Sequence, residues 1–209
     1  MTSVILGDII NSRKVVDAGE WLYPLKRLLE HYGKEPAVWT IERGDTFQLE
    51  VADPSTALKA ALSIKSLTKS LEVNHLDVRL AIGIGKKSFQ GSRISESNGE
   101  AFVNCGDAFE EMKQSKQNLA IKTPWQDLDR EMNLILRLGS LVMDKWTASS
   151  AEVMYLQFIA EKKIGQKELT QLLHINQSSV SERLTRAHSD EITELEQYFR
   201  DRIKQKIEE

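Results

Sequence analysis

The sequence contains 209 residues, of which 41% are hydrophobic and 28% are charged, a composition that is ordinary for a globular protein with one large or two small domains. Its formal net charge of −3 excludes a generally basic nucleic-acid coat protein, so any contact with DNA must be confined to one face. The single cysteine, Cys105, excludes an internal disulfide and a cysteine-rich zinc site, and no segment approaches the roughly 20 apolar residues of a membrane span. We therefore expect a cytoplasmic protein without a membrane partner.

The first 124 residues alternate short β-like runs with helical patterns, which is typical of a layered fold of sheet and helices. Strands are predicted at 3–6, 37–42, 47–51, 76–84 and 119–122, with a hairpin turn at 43–46. Helices are predicted at 19–32, at 54–71 and at 99–113. The order βαββαβ of the first six elements predicts a ferredoxin-like domain over residues 1–124 of an α+β protein. The Gly- and Ser-rich segment 85–98 is predicted to be a mobile loop.

Pro124 marks the end of this domain, and the pattern beyond it is helical. Apolar residues at helical spacing predict a connector helix at 125–146, followed by a domain at 147–209 that begins with a helix at 149–160. A final helix at 189–207 opens with a serine cap and two acidic residues, which suit the positive end of the helix dipole. Either a dimer partner or the same chain must cover its apolar stripe. That stripe consists of Ile192, Leu195, Phe199, Ile203 and Ile207.

The segment 166–184 has the pattern of two short helices around a tight turn at 174–176, as in a DNA-binding helix-turn-helix. Leu169, Leu172 and Leu173 give the first helix an apolar face, and Val180 and Leu184 give the second helix a buried stripe. The turn begins with a histidine where glycine is common, and histidine tolerates a positive φ better than β-branched residues do.

The remaining positions of the second helix are small, polar or cationic, which are the side-chain types that read base edges or grip phosphates in a major groove. Between 162 and 186, five lysines and arginines stand against two glutamates, a local excess that suits a modest phosphate contact by a dimer. The alternative is a pair of packed helices in an ordinary helical domain. The candidate DNA-binding residues are Gln166, Gln177, Ser178, Ser179, Ser181, Arg183 and Arg186.

Two carboxylates are predicted at neighbouring strand ends, because Asp8 closes the first strand and Asp45 lies in the hairpin turn. Such a pair can hold Mg²⁺, which keeps several waters and takes phosphate oxygens as further ligands. The alternative is that Asp8 caps the following turn and Asp45 serves only the hairpin. The loop 9–13 can also cradle the phosphate of a nucleotide through backbone N–H groups and polar side chains. The candidate nucleotide-binding residues are Asp8, Ile9, Asn11, Ser12, Arg13 and Asp45.

Four short motifs resemble, in order and spacing, the catalytic core of class III nucleotidyl cyclases. They are Asp8-Ile9, Gly44-Asp45, Val78-Arg79-Leu80-Ala81-Ile82-Gly83-Ile84-Gly85 and Gly99-Glu100-Ala101-Phe102-Val103-Asn104. More closely, the segment 7–13 together with Trp146-Thr147 and the helix-turn-helix pattern resembles the SatD family of bacterial proteins over nearly the whole chain. The resemblance implies an architecture, a cyclase-like domain followed by a helix-turn-helix, better than it implies an activity.

The cyclase resemblance implies that the two aspartates are metal ligands, joined by the carbonyl of Ile9. Two positions depart from the cyclase pattern. Cyclases of this class have an arginine four residues after the asparagine that corresponds to Asn104, where this chain has Ala108, and a base-selecting lysine where it has Ile41. Without the arginine the transition state loses its main positive partner, which is worth several powers of ten in phosphoryl transfer. The resemblance therefore implies a nucleotide-binding or degenerate domain rather than a catalyst.

Three functions are compatible with these patterns. The favoured one is a DNA-binding regulator that reads an operator as a homodimer, while its N-terminal domain senses a nucleotide or dimerises. The second is a metal-dependent enzyme that makes or cleaves a phosphoester at the aspartate pair. The third is an interaction protein whose helical half docks to another protein.

Overall fold

A computed structural model describes residues 1–42, 44–73 and 75–209, so Arg43, which the sequence predicts in a hairpin turn, lies outside the described residues. The described chain is a mixed α+β protein with a five-stranded mixed sheet, a two-stranded sheet and eight α-helices. The strands are β1 (Thr2–Ile10), β2 (Trp39–Glu42), β3 (Thr46–Val51), β4 (Asp77–Gly85), β5 (Lys87–Phe89), β6 (Asn98–Gly99) and β7 (Leu119–Lys122). The helices are α1 (Gly19–Glu30), α2 (Ala57–Ser70), α3 (Glu100–Ser115), α4 (Gln126–Met143), α5 (Ala148–Ile159), α6 (Gln166–Leu173), α7 (Gln177–Ala187) and α8 (Ser189–Glu208).

The five-stranded sheet has the strand order β2-β3-β1-β4-β7. The central strand β1 pairs antiparallel with β3 and β4, so that Asp8 lies opposite Thr46 on one side and Arg79 on the other. Strand β2 pairs antiparallel with β3, and β7 pairs parallel with β4. The end of β1 therefore meets the start of β3 and the start of β4 at one edge of the sheet.

Two segments differ from the sequence predictions. Strand β1 continues to Ile10, so Asp8 lies inside the strand instead of closing it, because β4 pairs with the chain as far as Ile10. The segment 85–98 is not a plain loop, since β5 and β6 form a two-stranded sheet. Ile94 anchors this segment, because its side chain is buried and its N–H donates to the Pro36 carbonyl at 2.8 Å.

Helices cover both faces of the large sheet. Ile5 faces the larger hydrophobic core with α1 and α2, whereas Val4 faces a smaller core with α3. Helix α3 can approach β4 closely because Gly83 has no side chain, and a Cβ atom there would lie 2.2 Å from the Ala101 carbonyl oxygen. The thiol of Cys105 is buried in the smaller core, and this burial raises its pKa to about 12.

A fully buried lysine joins three elements. The Nζ atom of Lys65 in α2 lies 3.0 Å from Asp77 Oδ1 and 2.7 Å from Asp144 Oδ1. One turn later, Lys69 binds Asp77 Oδ2 at 3.3 Å and the Asp144 carbonyl at 3.0 Å. Because Asp77 begins β4 and Asp144 follows α4, the two lysines tie α2 to the sheet and to the helical half.

The helical half shares the larger core with the sheet. Asn133 of α4 binds both the N–H of Ile121 at 2.9 Å and its carbonyl at 2.8 Å, so α4 occupies the free edge of β7. The larger core continues from the strands through α4, α5 and α8. The division of the chain at 125–146 by a connector stays a prediction. No helix in the described part of the chain is long and apolar enough to cross a bilayer.

The apolar stripe of α8 is mostly covered by the same chain. Ile192, Leu195, Phe199 and Ile203 are buried against the rest of the protein, whereas Ile207 is 42% exposed. The stripe therefore needs no dimer partner over most of its length.

Candidate functional site

The predicted pair of short helices is present at 166–187. Helices α6 and α7 are separated by the three residues 174–176. His174 adopts a left-handed conformation with φ 54°, at the position where glycine is common. Asn176 caps α7, because its Oδ1 atom accepts a hydrogen bond from the Ser179 N–H at 2.8 Å. A left-handed turn followed by a capped helix fixes the angle between the two helices.

Fewer apolar side chains of α6 and α7 are buried than the sequence predicts. Leu169 and Val180 are fully buried, and Leu173 and Leu184 are half-buried. Leu172 is 51% exposed, so its assignment to the inner face is wrong. The inner side of an eight-residue helix accommodates the pair Leu169 and Leu173, which are four residues apart and share one face.

The outer face of α7 is polar and accessible. Gln177, Ser178 and Ser181 are exposed, and they form the N-terminal half of this face. Arg186 is also exposed, and its Nη2 atom binds Glu182 Oε1 on the same helix at 2.5 Å. This pair leaves the cation at the surface, where an exposed ion pair is worth little and exchanges readily with another anion.

Two of the candidate DNA-binding residues do not face outward. Ser179 is half-buried and uses its N–H in the helix cap. The Arg183 side chain is only 25% exposed, and its Nη1 atom donates to Glu152 Oε2 at 2.6 Å, so Arg183 braces α7 against α5. The structure adds Thr185, which is exposed four residues after Ser181 and which helical spacing from Ser181 would have identified.

Gln166 lies across a cleft from the outer face of α7. It lines a cavity of about 380 Å³ together with Ser181 and Thr185, and with residues at the start of α8. Gln166 is exposed at the first position of α6, so its amide is accessible beside the polar face of α7.

Three lysines on α6 or just before it have no ion pair in the described parts of the chain. Lys162 and Lys163 precede α6, and Lys167 lies in its first turn. All three are exposed. They account for the local excess of positive charge that the sequence indicates, and they leave three cations available to phosphates.

Hydrogen bonds from two side chains outside α6 and α7 hold this pair of helices in place. The indole Nε1 of Trp146 donates to the Ala187 carbonyl at 2.9 Å, which holds the end of α7. The side chain of Gln157 binds both the carbonyl of Ile164 at 3.0 Å and its N–H at 3.3 Å, which fixes the segment before α6. The polar surface is therefore presented by a braced pair of helices.

The second candidate site contains the two aspartates. Pairing of β1 with the start of β3 brings them together, because the N–H of Ile9 donates to the Asp45 carbonyl at 3.0 Å. Asp8 Oδ2 accepts a hydrogen bond from Arg79 Nη2 at 2.7 Å, whereas its Oδ1 atom is buried and has no hydrogen-bond partner among the described residues. Asp45 Oδ2 accepts from the Ser12 hydroxyl at 2.7 Å. Asp8 therefore does not cap the following turn.

The loop 9–13 is less open to a phosphate than the sequence predicts. Ile9 belongs to β1 and its N–H is already used, so it cannot donate to a ligand. Asn11 donates a hydrogen bond to the His75 carbonyl at 3.1 Å and borders a cavity of about 870 Å³. Neither Asp8 nor Asp45 lines this cavity. Arg13 is exposed in a short 3₁₀ turn at 12–14. Of the six candidate residues, Asn11 thus borders this cavity and the other five do not.

The aspartate pair suits a magnesium–nucleotide complex better than magnesium alone. Within residues 1–42, 44–73 and 75–209, no cluster of three or more His, Cys, Asp or Glu side chains is arranged to hold a metal. Two carboxylates suffice for Mg²⁺ only when phosphates and waters complete its shell. The Oδ1 of Asp8, which has no partner in the part of the chain that the structure describes, is a suitable ligand atom. At the two positions on α3 that correspond to the asparagine and the arginine of cyclases, Asn104 binds the Ile84 carbonyl at 2.8 Å and Ala108 is a buried apolar residue.

Comparison with known proteins identifies a family. The profile of the SatD family matches residues 3–206, which is nearly the whole chain. No curated protein matches the sequence.

Proposed function

The chain belongs to the SatD family, and we propose that this member is a DNA-binding transcriptional regulator that acts as a homodimer. In this proposal residues 147–209 form a helix-turn-helix domain, with α7 as the recognition helix. Residues 1–124 form a ferredoxin-like domain, related to cyclase cores, that senses a nucleotide or dimerises. The observation that carries the proposal is the exposed polar face of α7, together with three exposed lysines on and before α6 that have no ion pair in the described residues.

The strand order supports the assignment of the N-terminal part. In a βαββαβ fold of the ferredoxin type, the first strand lies at the centre between the third and the fourth strands. Here β1 lies between β3 and β4, and β2 occupies the far edge. Strand β7 then adds to the other edge in parallel orientation.

The side chains on the outer face of α7 suit base recognition. Recognition helices contact base edges mainly with their N-terminal residues, which here are Gln177 and Ser178. A glutamine amide can bind adenine with two hydrogen bonds, and serine or threonine hydroxyls bind any base. Ser181 and Thr185 continue the same face at four-residue spacing. This arrangement gives sequence preference without large conformational change.

The lysines supply the phosphate contacts that an acidic protein needs. Each neutralised phosphate contributes about −0.9 to the slope of log affinity against log salt. Lys162, Lys163 and Lys167 therefore predict a slope of about −2.7 for one protomer and about −5 for a dimer on B-DNA. Such binding is weak at physiological salt unless two protomers bind together.

The test measures the affinity of the purified protein for duplex DNA as a function of salt concentration. Replacing Lys162, Lys163 and Lys167 together by glutamine should reduce the magnitude of the slope by about 2.7 per protomer and weaken binding to all sequences. A slope that stays unchanged in this triple variant would refute the proposed surface.

A matched control comes from the N-terminal half. Lys34, Lys86 and Lys116 are also exposed and have no ion pair in the described residues. Replacing these three by glutamine changes the net charge by the same amount but should leave the salt slope unchanged. If the control variant loses affinity equally, net charge rather than α6 and α7 determines binding.

Nucleotide binding is the second candidate function, and it is favoured by the Oδ1 of Asp8, which accepts no hydrogen bond from any described residue. Magnesium would be held by Asp8 and Asp45 together with phosphate oxygens, and it would neutralise phosphate charge there. Calorimetric titration with ATP and with GTP should show binding that needs Mg²⁺ and that Asp8→Asn abolishes. Asp107→Asn, on the surface of α3, is the control that should bind normally. Equal binding without metal, or by Asp8→Asn, would exclude this site.

The same titration separates the remaining alternatives. Turnover of a nucleoside triphosphate that depends on metal and is lost in Asp8→Asn would favour the enzyme. Against the enzyme, Ala108 stands where cyclases have the arginine that stabilises the transition state. Absence of both DNA and nucleotide binding would favour a protein interaction module.

A further inference from the structure

An apolar groove runs along the outside of the helical half, between α4 and α8. Ile135, Leu138 and Val142 of α4 and Leu195 and Tyr198 of α8 line a cavity of about 720 Å³ there. This surface is called the α4–α8 groove.

The apolar surface extends from the groove onto the outer side of α4. Leu134, Leu138 and Leu141 are 49%, 56% and 63% exposed, at the spacing i, i+4 and i+7 of one helix face. These leucines do not serve the core, which α4 reaches through a separate row of residues that includes Leu128, Met132 and Leu136. A contiguous apolar patch of this kind marks an interaction site, because isolated exposed leucines need no explanation but clustered ones do.

The walls of the groove are fixed within the protomer. Glu131 of α4 accepts hydrogen bonds from the Tyr198 hydroxyl and from Arg202 Nη2, the latter at 3.0 Å. Gly139 lets α8 approach α4 closely, since a Cβ atom there would lie 2.8 Å from the Leu195 Cδ1 atom. The groove is therefore preformed, and its occupant binds without ordering these two helices.

Opposite charges flank the leucines. On the α8 side, Glu191, Glu194 and Asp201 line the groove. On the other side, Arg130 and Arg137 are exposed and form no ion pair among the described residues. Each residue of an α-helix is rotated by about 100° from the one before it. Around the α4 axis, Arg130 and Arg137 therefore lie on the side of the exposed leucines that faces away from α8.

We propose that the α4–α8 groove is the interface of a two-fold symmetric homodimer of this chain. A surface with acids along one side and cations along the other is complementary to itself when the two-fold axis runs along the groove. In that arrangement Glu194 faces the partner's Arg137, Arg137 faces the partner's Glu194, and the leucine rows meet in the middle. The proposed regulator requires a dimer, and the groove specifies the surface that forms it.

The test measures the oligomeric state of the full chain by sedimentation equilibrium, without DNA. Leu138→Glu should convert a dimer into a monomer, because the substitution puts two buried carboxylates at the centre of the interface. Val103→Glu is the matched control, because Val103 is 57% exposed on α3, which packs on the smaller core and not on the larger core that α4 and α8 share. This control should remain dimeric. The wild-type dimer and a monomeric Leu138→Glu together would support the surface.

Charge exchange tests the geometry of the dimer. Arg137→Glu and Glu194→Arg should each raise the dissociation constant about tenfold. The double variant should restore a value near that of wild type, because each site then faces its reversed partner. A monomeric wild type at all concentrations, a dimer that survives Leu138→Glu, or a double variant weaker than both singles would overturn the proposal. A dimer that survives Leu138→Glu overturns this surface and leaves the proposed regulator intact, whereas a dimer that Leu138→Glu disrupts but that binds no DNA supports this surface and contradicts the regulator.

Discussion

Replacing Lys65 by methionine is expected to destabilise the protein by about 3 kcal/mol. The ammonium is fully buried between Asp77 at 3.0 Å and Asp144 at 2.7 Å. Each pair contributes on the order of 5 kcal/mol of attraction at an effective dielectric constant of about 20. Desolvation of the buried ions offsets most of that attraction, but removal of one partner leaves the others uncompensated.

Asp77 and Asp144 each keep a way to stabilise their charge without Lys65. The destabilisation expected for Lys65→Met is therefore at the lower end of the range measured when one partner of a buried ion pair is removed. Asp77 keeps Lys69 as a partner at 3.3 Å, and the Asp144 side chain is 39% exposed and can be hydrated. Because Lys69 lies nearer the surface, Lys69→Met is the control and should cost about 1 kcal/mol.

Urea unfolding monitored by circular dichroism measures both variants. For a chain of this length, a loss of about 3 kcal/mol lowers Tm by roughly 6–12 °C. A Lys65→Met protein within about 0.5 kcal/mol of wild type would refute the reasoning, because surface substitutions without structural consequence fall in that range. It would mean that the lysine does not hold α2 against the sheet and α4.

Three further predictions concern packing. The Cys105 thiol, whose pKa burial raises to about 12, should react with a thiol reagent at pH 8 only as fast as the protein unfolds; rapid modification of the native protein would contradict its burial. Gly83→Ala should destabilise the protein by about 2 kcal/mol or more, because the added Cβ meets the backbone of α3. Gly106→Ala should instead stabilise α3 by about 0.5–1 kcal/mol, because the space around Gly106 is open. Thermal unfolding of both variants tests these two predictions. Leu172→Gln should change stability by less than about 0.5 kcal/mol, and a larger loss by denaturant titration would show that Leu172 is buried.

Regular patterns in the sequence predicted most of the secondary structure. The alternation of apolar and other residues along 78–84 identifies β4, and helical spacing identifies α1, α4 and α8. The end of β1 was missed because glycine and aspartate at 7 and 8 interrupt the apolar run, while pairing with neighbours on both sides maintains the strand. The sequence does not predict the short strands β5 and β6, because a run of two or three residues is too short to show the alternation of apolar and polar residues.

The sites depend on contacts between distant segments, which a local pattern does not contain. The sequence identifies α7 and its polar residues, but the position of Arg183 is set by Glu152, which lies 31 residues earlier. Likewise the hydrogen bond from Arg79 to Asp8 follows from the register of β1 and β4. Such pairs become visible only when the strands and helices are assembled.

Selection of bound fragments from a random duplex DNA library tests the central claim most directly. The wild-type protein should enrich one palindromic site, and the variant Gln177→Ala/Ser181→Ala should enrich no site while it keeps its oligomeric state and its unfolding midpoint. Enrichment that needs these two residues would establish α7 as a sequence reader in a dimer. No enrichment by the wild type at low salt, or the same site enriched by both proteins, would contradict the account.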